Sequence, residues 1–88
     1  MPRVVITHDV VDIDRWLKGK AERVAAIGAA GTNVTDYVAL DGSNHVAVTA
    51  NVHDLATIQV LLASRPPDVA AQMQSQGVQP PITAYVER

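Results

Sequence analysis

Cysteine and phenylalanine are absent from the 88 residues, and the aromatic complement is one tryptophan and two tyrosines. Without cysteine there is no disulfide and no thiolate metal ligand to reinforce the chain. At this length it is one domain, residues 1–88, and a domain this small buries a modest share of its surface and is only marginally stable alone. Its remaining supports are an efficient core or a partner subunit. Hydrophobic residues make up 48% of the chain but aromatics only 3%, so the core must be built of Val, Ala, Leu and Ile. Basic charge is also scarce. Seven Lys and Arg are scattered against nine Asp and Glu, for a net charge of −2. The electrostatic footprint that nucleic-acid binding requires is missing. No apolar run approaches the roughly 20 residues that span a bilayer. The opening Met1-Pro2-Arg3-Val4-Val5-Ile6 soon meets His8 and Asp9, unlike a signal peptide. The expectation is a cytoplasmic protein with no membrane partner.

What is present is alternation. Arg3 to Val10 is β-branched and alternating, which predicts a strand with Val4, Ile6, His8 and Val10 on one face and Val5, Thr7 and Asp9 on the other. Asp12 sits where a helix N-cap belongs. Ile13, Trp16, Leu17, Val24 and Ile27 follow at helical spacing, with Lys18, Lys20, Glu22 and Arg23 directed away, and Gly28 to Gly31 ends that helix. Asn33 to Leu40 is a second strand, Asp41-Gly42-Ser43-Asn44 a hairpin turn, and His45 to Val52 a third strand. Asp54 can cap a second helix with Leu55, Ile58 and Leu62 inward. Pro66-Pro67 breaks and restarts it over Asp68 to Gln76, and Gly77 is a left-handed stop. Ile82 to Glu87 is the last strand.

The order β-α-β-β-α-β predicts an α+β, ferredoxin-like four-stranded antiparallel sheet in the order 4-1-3-2, with the helices on one face. The covered face is nearly all aliphatic. The other carries Val5, Thr7, Tyr37, Ala39, Ala47, Thr49, Thr83 and Tyr85, too polar for a core and too apolar for a solvated surface. A second copy of the sheet, covering about 600–800 Å² per subunit, would account for it. The expected partner is therefore a homodimer mate meeting Thr7, Tyr37, Thr49 and Tyr85.

Two polar residues interrupt the aliphatic face, His8 and Asp36. A polar group under a helix layer marks either a local hydrogen bond or a pocket. His8 can act as the base of such a pocket, with Trp16 as a flat apolar wall and Asp12 at the helix start beside it. The plainer account has His8 bonded to nearby carbonyls or to Asp12, Trp16 as core packing, and Asp36 as an edge residue reaching solvent. His8 and Asp36 are about 10 Å apart across two strands at ~4.8 Å each, so they are not expected to pair, but a ligand could span both. His45 and His53 share no metal-ligand spacing with His8, so no metal is expected. Gly28-Ala29-Ala30-Gly31 follows a helix rather than a strand and is not a phosphate loop.

The run His8-x-Val10-x-Asp12-x-x-x-Trp16, the turn Asp41-Gly42-Ser43-Asn44 and the ending Gly77-Val78-Gln79-Pro80-Pro81 resemble the dimeric α+β barrel superfamily. They are nearest its antibiotic-biosynthesis-monooxygenase-like and polyketide-cyclase-like members. That resemblance implies two sheets closing into a barrel across a dimer and a cleft in each subunit between sheet and helices. It also implies cofactor-independent oxygenase or cyclase chemistry on an aromatic or polyketide-like substrate, with His8 as general base and no cofactor. Substrate contacts would come from Trp16, Asp36 and Asp12. The alternative is a non-catalytic ligand-binding or structural homodimer. RNA binding, which shares the topology, needs stacking aromatics on the central strands and basic charge, and both are missing.

Overall fold

The structure, a computed structural model, describes residues 2–88. Its elements are β1 (Arg3–Val10), α1 (Ile13–Leu17), α2 (Lys20–Gly28), β2 (Gly31–Val38), β3 (His45–Val52), α3 (Leu55–Ser64), α4 (Pro67–Ser75) and β4 (Val78–Val86). The strands form one sheet in the order β2-β3-β1-β4, which is the expected order read from the other edge. Every pairing is antiparallel. The fold is therefore α+β and ferredoxin-like. No described helix is long and apolar enough to cross a membrane.

Local chemistry accounts for most element ends. Asp12 caps α1 by accepting from the Arg15 amide at 3.1 Å, and Asp54 caps α3 through the Thr57 amide at 3.1 Å. Pro67 opens α4, where a missing N–H costs nothing. Gly77, at φ +74°, closes α4 in a conformation that disfavours other residues. The Arg15 guanidinium adds to that closure, donating to the Ser75 and Gln74 carbonyls at 2.7 and 3.0 Å. In the β2–β3 turn the Asp41 carboxylate accepts from the Ser43 amide at 2.9 Å.

Three expectations need correction. The first helix is two helices. Gly19 breaks it because the Gln76 side chain fills the space beside it; a Cβ on Gly19 would lie 2.4 Å from that side chain. The break changes the helical phase. Leu17 and Val24, expected inside, are each 41% exposed, whereas Arg23, expected outside, is 7% exposed. Second, β2 begins at Gly31 and ends at Val38, with a register shift between Thr32 and Thr35 around Asn33, whose φ is +55°. Leu40, expected under the helices, is exposed. Third, β4 begins at Val78 rather than Ile82. Thr7 pairs with Thr83 but Asp9 pairs with Gln79, so four steps of β4 run against two of β1. Pro80 and Pro81 lie in that excess, and prolines have no N–H to continue the ladder. His8 faces this interruption and has no register partner on β4.

The core is aliphatic apart from Trp16, in two clusters. One gathers Val4, Ala30, Ala50, Val52 and Ile58. The other gathers Val10, Trp16, Val46 and Val48, with Ile13 and Val78 packed on it. On the opposite face of the sheet, Tyr37 and Tyr85 are exposed in the single chain.

Candidate functional site

His8 stands on β1 at the gap that β4 leaves, under the helix layer. Its Nδ1 is 3.0 Å from the Asp9 carbonyl oxygen. A carbonyl only accepts, so Nδ1 carries the proton and the neutral ring keeps a bare Nε2. Among the described residues Nε2 has no hydrogen-bond partner, and it is not one of the sealed polar atoms, so it borders accessible space. Burial pushes the His8 pKa below its ordinary value; the bond to Asp9 opposes that shift, and the nearby Arg23 cation reinforces it. At neutral pH His8 is therefore an uncharged imidazole with one free lone pair.

Trp16 reaches the same place from the single short turn of α1. It is 0% exposed, and its ring meets that of His8 edge to face, with centroids 5.9 Å apart and planes at 82°. The Arg23 guanidinium covers the indole face at 4.1 Å from its centroid, a favourable cation–π placement. Arg23 is itself held from three sides. Its Nη1 donates to the Trp16 carbonyl at 2.9 Å and to Gln76 Oε1 at 2.7 Å. Its Nε and Nη2 donate to the two Asp36 carboxylate oxygens at 3.2 and 2.8 Å. Lys20 Nζ lies 3.9 Å from the same carboxylate.

Between the sheet and the helices lies a cavity of about 80 Å³. His8, Trp16, Arg23 and Gln76 mark its polar end, and Ile6, Ile27, Val48, Ile58, Leu62 and Met73 are among its apolar walls. His8 and Trp16 are thus brought together at one chamber. Asp36 lies behind Arg23, bonded to it and buried rather than reaching solvent. Asp12 is engaged as a helix cap and does not line the chamber. His45 lies on the opposite sheet face, where its Nδ1 bonds the Asp9 carboxylate, and that bond raises the His45 pKa. His53 is exposed at the entry to α3. Among the described residues no three His, Asp or Glu side chains converge as metal ligands would.

Sequence reasoning missed Arg23 and Gln76. The signal for Arg23 was Gly19, a poor helix-interior residue. If the helix restarts at Lys20, then Arg23, Ile27 and Ala30 share one side, and Arg23 turns inward toward Asp36. For Gln76, nothing in the local pattern distinguishes it from its exposed neighbours Gln74 and Ser75.

No family model and no curated protein matches the chain. Solved structures do. A candidate antibiotic biosynthesis monooxygenase from Bordetella bronchiseptica superposes with a TM-score of 0.71 at 11% identity, over 99% of this chain and 94% of that one. SnoaB from Streptomyces nogalater, described as a cofactor-independent oxygenase, superposes with a TM-score of 0.69 at 14% identity, over 99% and 92%. A further antibiotic biosynthesis monooxygenase superposes with a TM-score of 0.68 at 14% identity, over 100% and 97%. The fold is that of the antibiotic biosynthesis monooxygenases. Its likeness to the monooxygenase structures runs the whole length of the chain, and at these identities it speaks for architecture. The chemistry of the chamber rests on this chain's own residues.

Proposed function

We propose that the chain is a cytoplasmic, cofactor-independent oxygenase- or cyclase-type enzyme for a small aromatic or polyketide-like substrate, with His8 as general base. The observation that carries this reading is the state of His8: a neutral ring that donates its Nδ1–H to the Asp9 carbonyl and keeps a bare Nε2, in a residue that lines an apolar chamber. A positioned base of this kind suits proton transfer from an acidic phenol or enol. His8 Nε2 takes the proton, leaving an anion in resonance with a ring carbanion. In the oxygenase case the carbanion gives its electrons to dioxygen and a C–O bond forms. The peroxide anion takes the proton back from His8, and the resulting hydroperoxide loses water with the hydrogen on its own carbon, so one oxygen atom stays in the new carbonyl and the other leaves as water. In the cyclase case the same carbanion attacks a carbonyl within the substrate. The proposal includes a homodimer through the uncovered sheet face at Thr7, Tyr37, Thr49 and Tyr85, where the tyrosines are exposed in the single chain.

A second reading, a non-catalytic binding dimer, draws support from the small chamber and its single free base. Dioxygen consumption with 1,3-dihydroxynaphthalene separates the two. The enzyme reading expects uptake above the buffer rate and a loss of about 100-fold in the His8→Ala protein. Equal rates for both proteins end it, and saturable binding without uptake favours the second reading. Sedimentation at micromolar concentration tests the dimer, which a monomer mass would remove.

A further inference from the structure

The hydrogen bonds that tie α4 to other parts of the fold gather at its C-terminal end. The Arg15 guanidinium donates to the Ser75 and Gln74 carbonyls at 2.7 and 3.0 Å. Gln76 Oε1 accepts from Arg23 Nη1 at 2.7 Å, and Gln76 Nε2 donates to the Gly19 carbonyl at 3.4 Å. The Val11 amide donates to the Gly77 carbonyl at 2.9 Å. Over residues 65–73 the bonds are local. Arg65 Nε reaches back to the Leu62 carbonyl of α3 at 3.2 Å, and the Ala70 amide donates to the Pro66 carbonyl at 2.9 Å. Among the described residues, no hydrogen bond joins this stretch to the sheet, α1 or α2.

The joint between α3 and α4 is poised to change. Arg65 closes α3 at φ +44°, a left-handed conformation that costs a non-glycine residue free energy. Arg65 also precedes Pro66, and a residue before proline prefers an extended backbone. Pro66 is the N-cap of α4 and makes no side-chain capping bond. Beyond it, Val69, Gln72 and Met73 line the chamber from a helix that buries no residue fully. A dry cavity of about 150 Å³ takes benzene. At about 80 Å³ the chamber admits a ring only if a wall moves, and the Val69 end of α4 is the part of the wall that no polar bond holds.

We propose that α4 is a one-ended lid: it pivots on residues 74–77, lifts over residues 65–69, and admits a ligand to the chamber past Val69. The proposal rests on the chamber being a ligand site and not on His8 acting as a base. Lifting lets Arg65 leave its left-handed backbone, which offsets part of the cost of parting Val69 and Met73 from the other walls. The pivot keeps Gln76 on Arg23, and Arg23 on Trp16, in both positions. An entering ligand therefore meets walls whose polar end was set before it arrived, so little ordering is left to pay on binding.

Lid motions fall on the μs–ms scale that NMR relaxation dispersion reads. The expected result is exchange at the amides of residues 68–72 and the methyls of Val69 and Met73, with residues 74–77 quiet. Benzene should bind saturably and shift the exchanging signals furthest. Arg65→Gly removes the cost of the left-handed closed state and should cut the open population about fivefold. Arg15→Ala removes two pivot bonds and should spread the exchange to Ser75 and Gln76. Exchange equal along α4, exchange concentrated over residues 74–77, or an open population unchanged in the Arg65→Gly protein overturns the lid while leaving the chamber a ligand site. Benzene that moves no signal overturns the reading of the chamber as well.

Discussion

The two crossovers of the fold are built alike and held differently. In the first, α1 and α2 are fastened by buried polar chemistry: Trp16 under Arg23, Arg23 to Asp36 on β2, and Arg23 to Gln76 at the end of α4. In the second, α3 contributes Ile58 as its one buried residue and α4 contributes none. The chamber therefore has one wall fixed by ionic bonds and one held by Ile58, by partly buried side chains such as Leu61, Leu62 and Met73, and by polar bonds only at the far end of α4. A fixed wall defines where donors and bases sit. A lightly held wall lets a ligand in. Segments with few buried apolar contacts are the ones that open at low free energy.

Breaking the fixed wall should have the largest effect. Trp16→Ala removes the largest fully buried side chain and should cost about 3–5 kcal/mol in urea denaturation. Asp36→Ala leaves a buried guanidinium without its carboxylate and should cost about 3 kcal/mol, whereas Asp36→Leu with Arg23→Met together should cost much less than the sum. Additive losses would show that the pair is not coupled. Gly19→Ala drives a methyl into the Gln76 side chain and should cost about 1–3 kcal/mol, relieved when combined with Gln76→Ala. In the yielding wall Met73→Ala should cost only about 1 kcal/mol, below the usual range for a core methionine. Amide exchange in α3 and α4 should outpace that in α2, and equal rates would erase the contrast between the walls.

The smallest expected effect is in pH. The His8 pKa is lowered from 6.5 in the folded state, so the unfolded chain binds a proton first as pH falls. The stability this neutral ring contributes is whole above about 6.5 and declines as pH drops toward the lowered value. His45 works the other way: its pKa is raised from 6.5 by Asp9, and its contribution is present in acid and lost as pH rises through the folded value. The melting temperature of a His8→Asn protein should fall less than that of the parent between pH 7 and pH 5. An identical slope would mean that the ring is not buried in solution.

The caps at Asp12 and Asp54, the Pro67 restart and the Gly77 stop were legible because each is set by a residue acting on its own neighbourhood, and the strand order because the element order and crossover handedness leave few alternatives. The meeting of His8 and Trp16 was legible for the same reason, being carried by one strand end and the helix that follows it. Arg23 was not. Its placement depends on Gln76, 53 positions away in sequence, claiming the space beside Gly19 and so resetting the phase of α2. The early start of β4 was hidden by its prolines, which argue against a ladder and in fact interrupt one. Asp36 was read as an edge residue because a carboxylate alone would avoid burial; the guanidinium that makes burial tolerable comes from a helix whose orientation the periodicity misjudged.

The proline pair at the rim of the sheet has a consequence for how copies can meet. β4 is an outer strand, and outer strands left open invite a neighbour to add on and polymerise. With Pro80 and Pro81 in its first half, this border offers too few amides in sequence to template another chain. Lateral growth is discouraged on that flank, and the broad surface bearing the tyrosines is left as the more hospitable place for a second molecule.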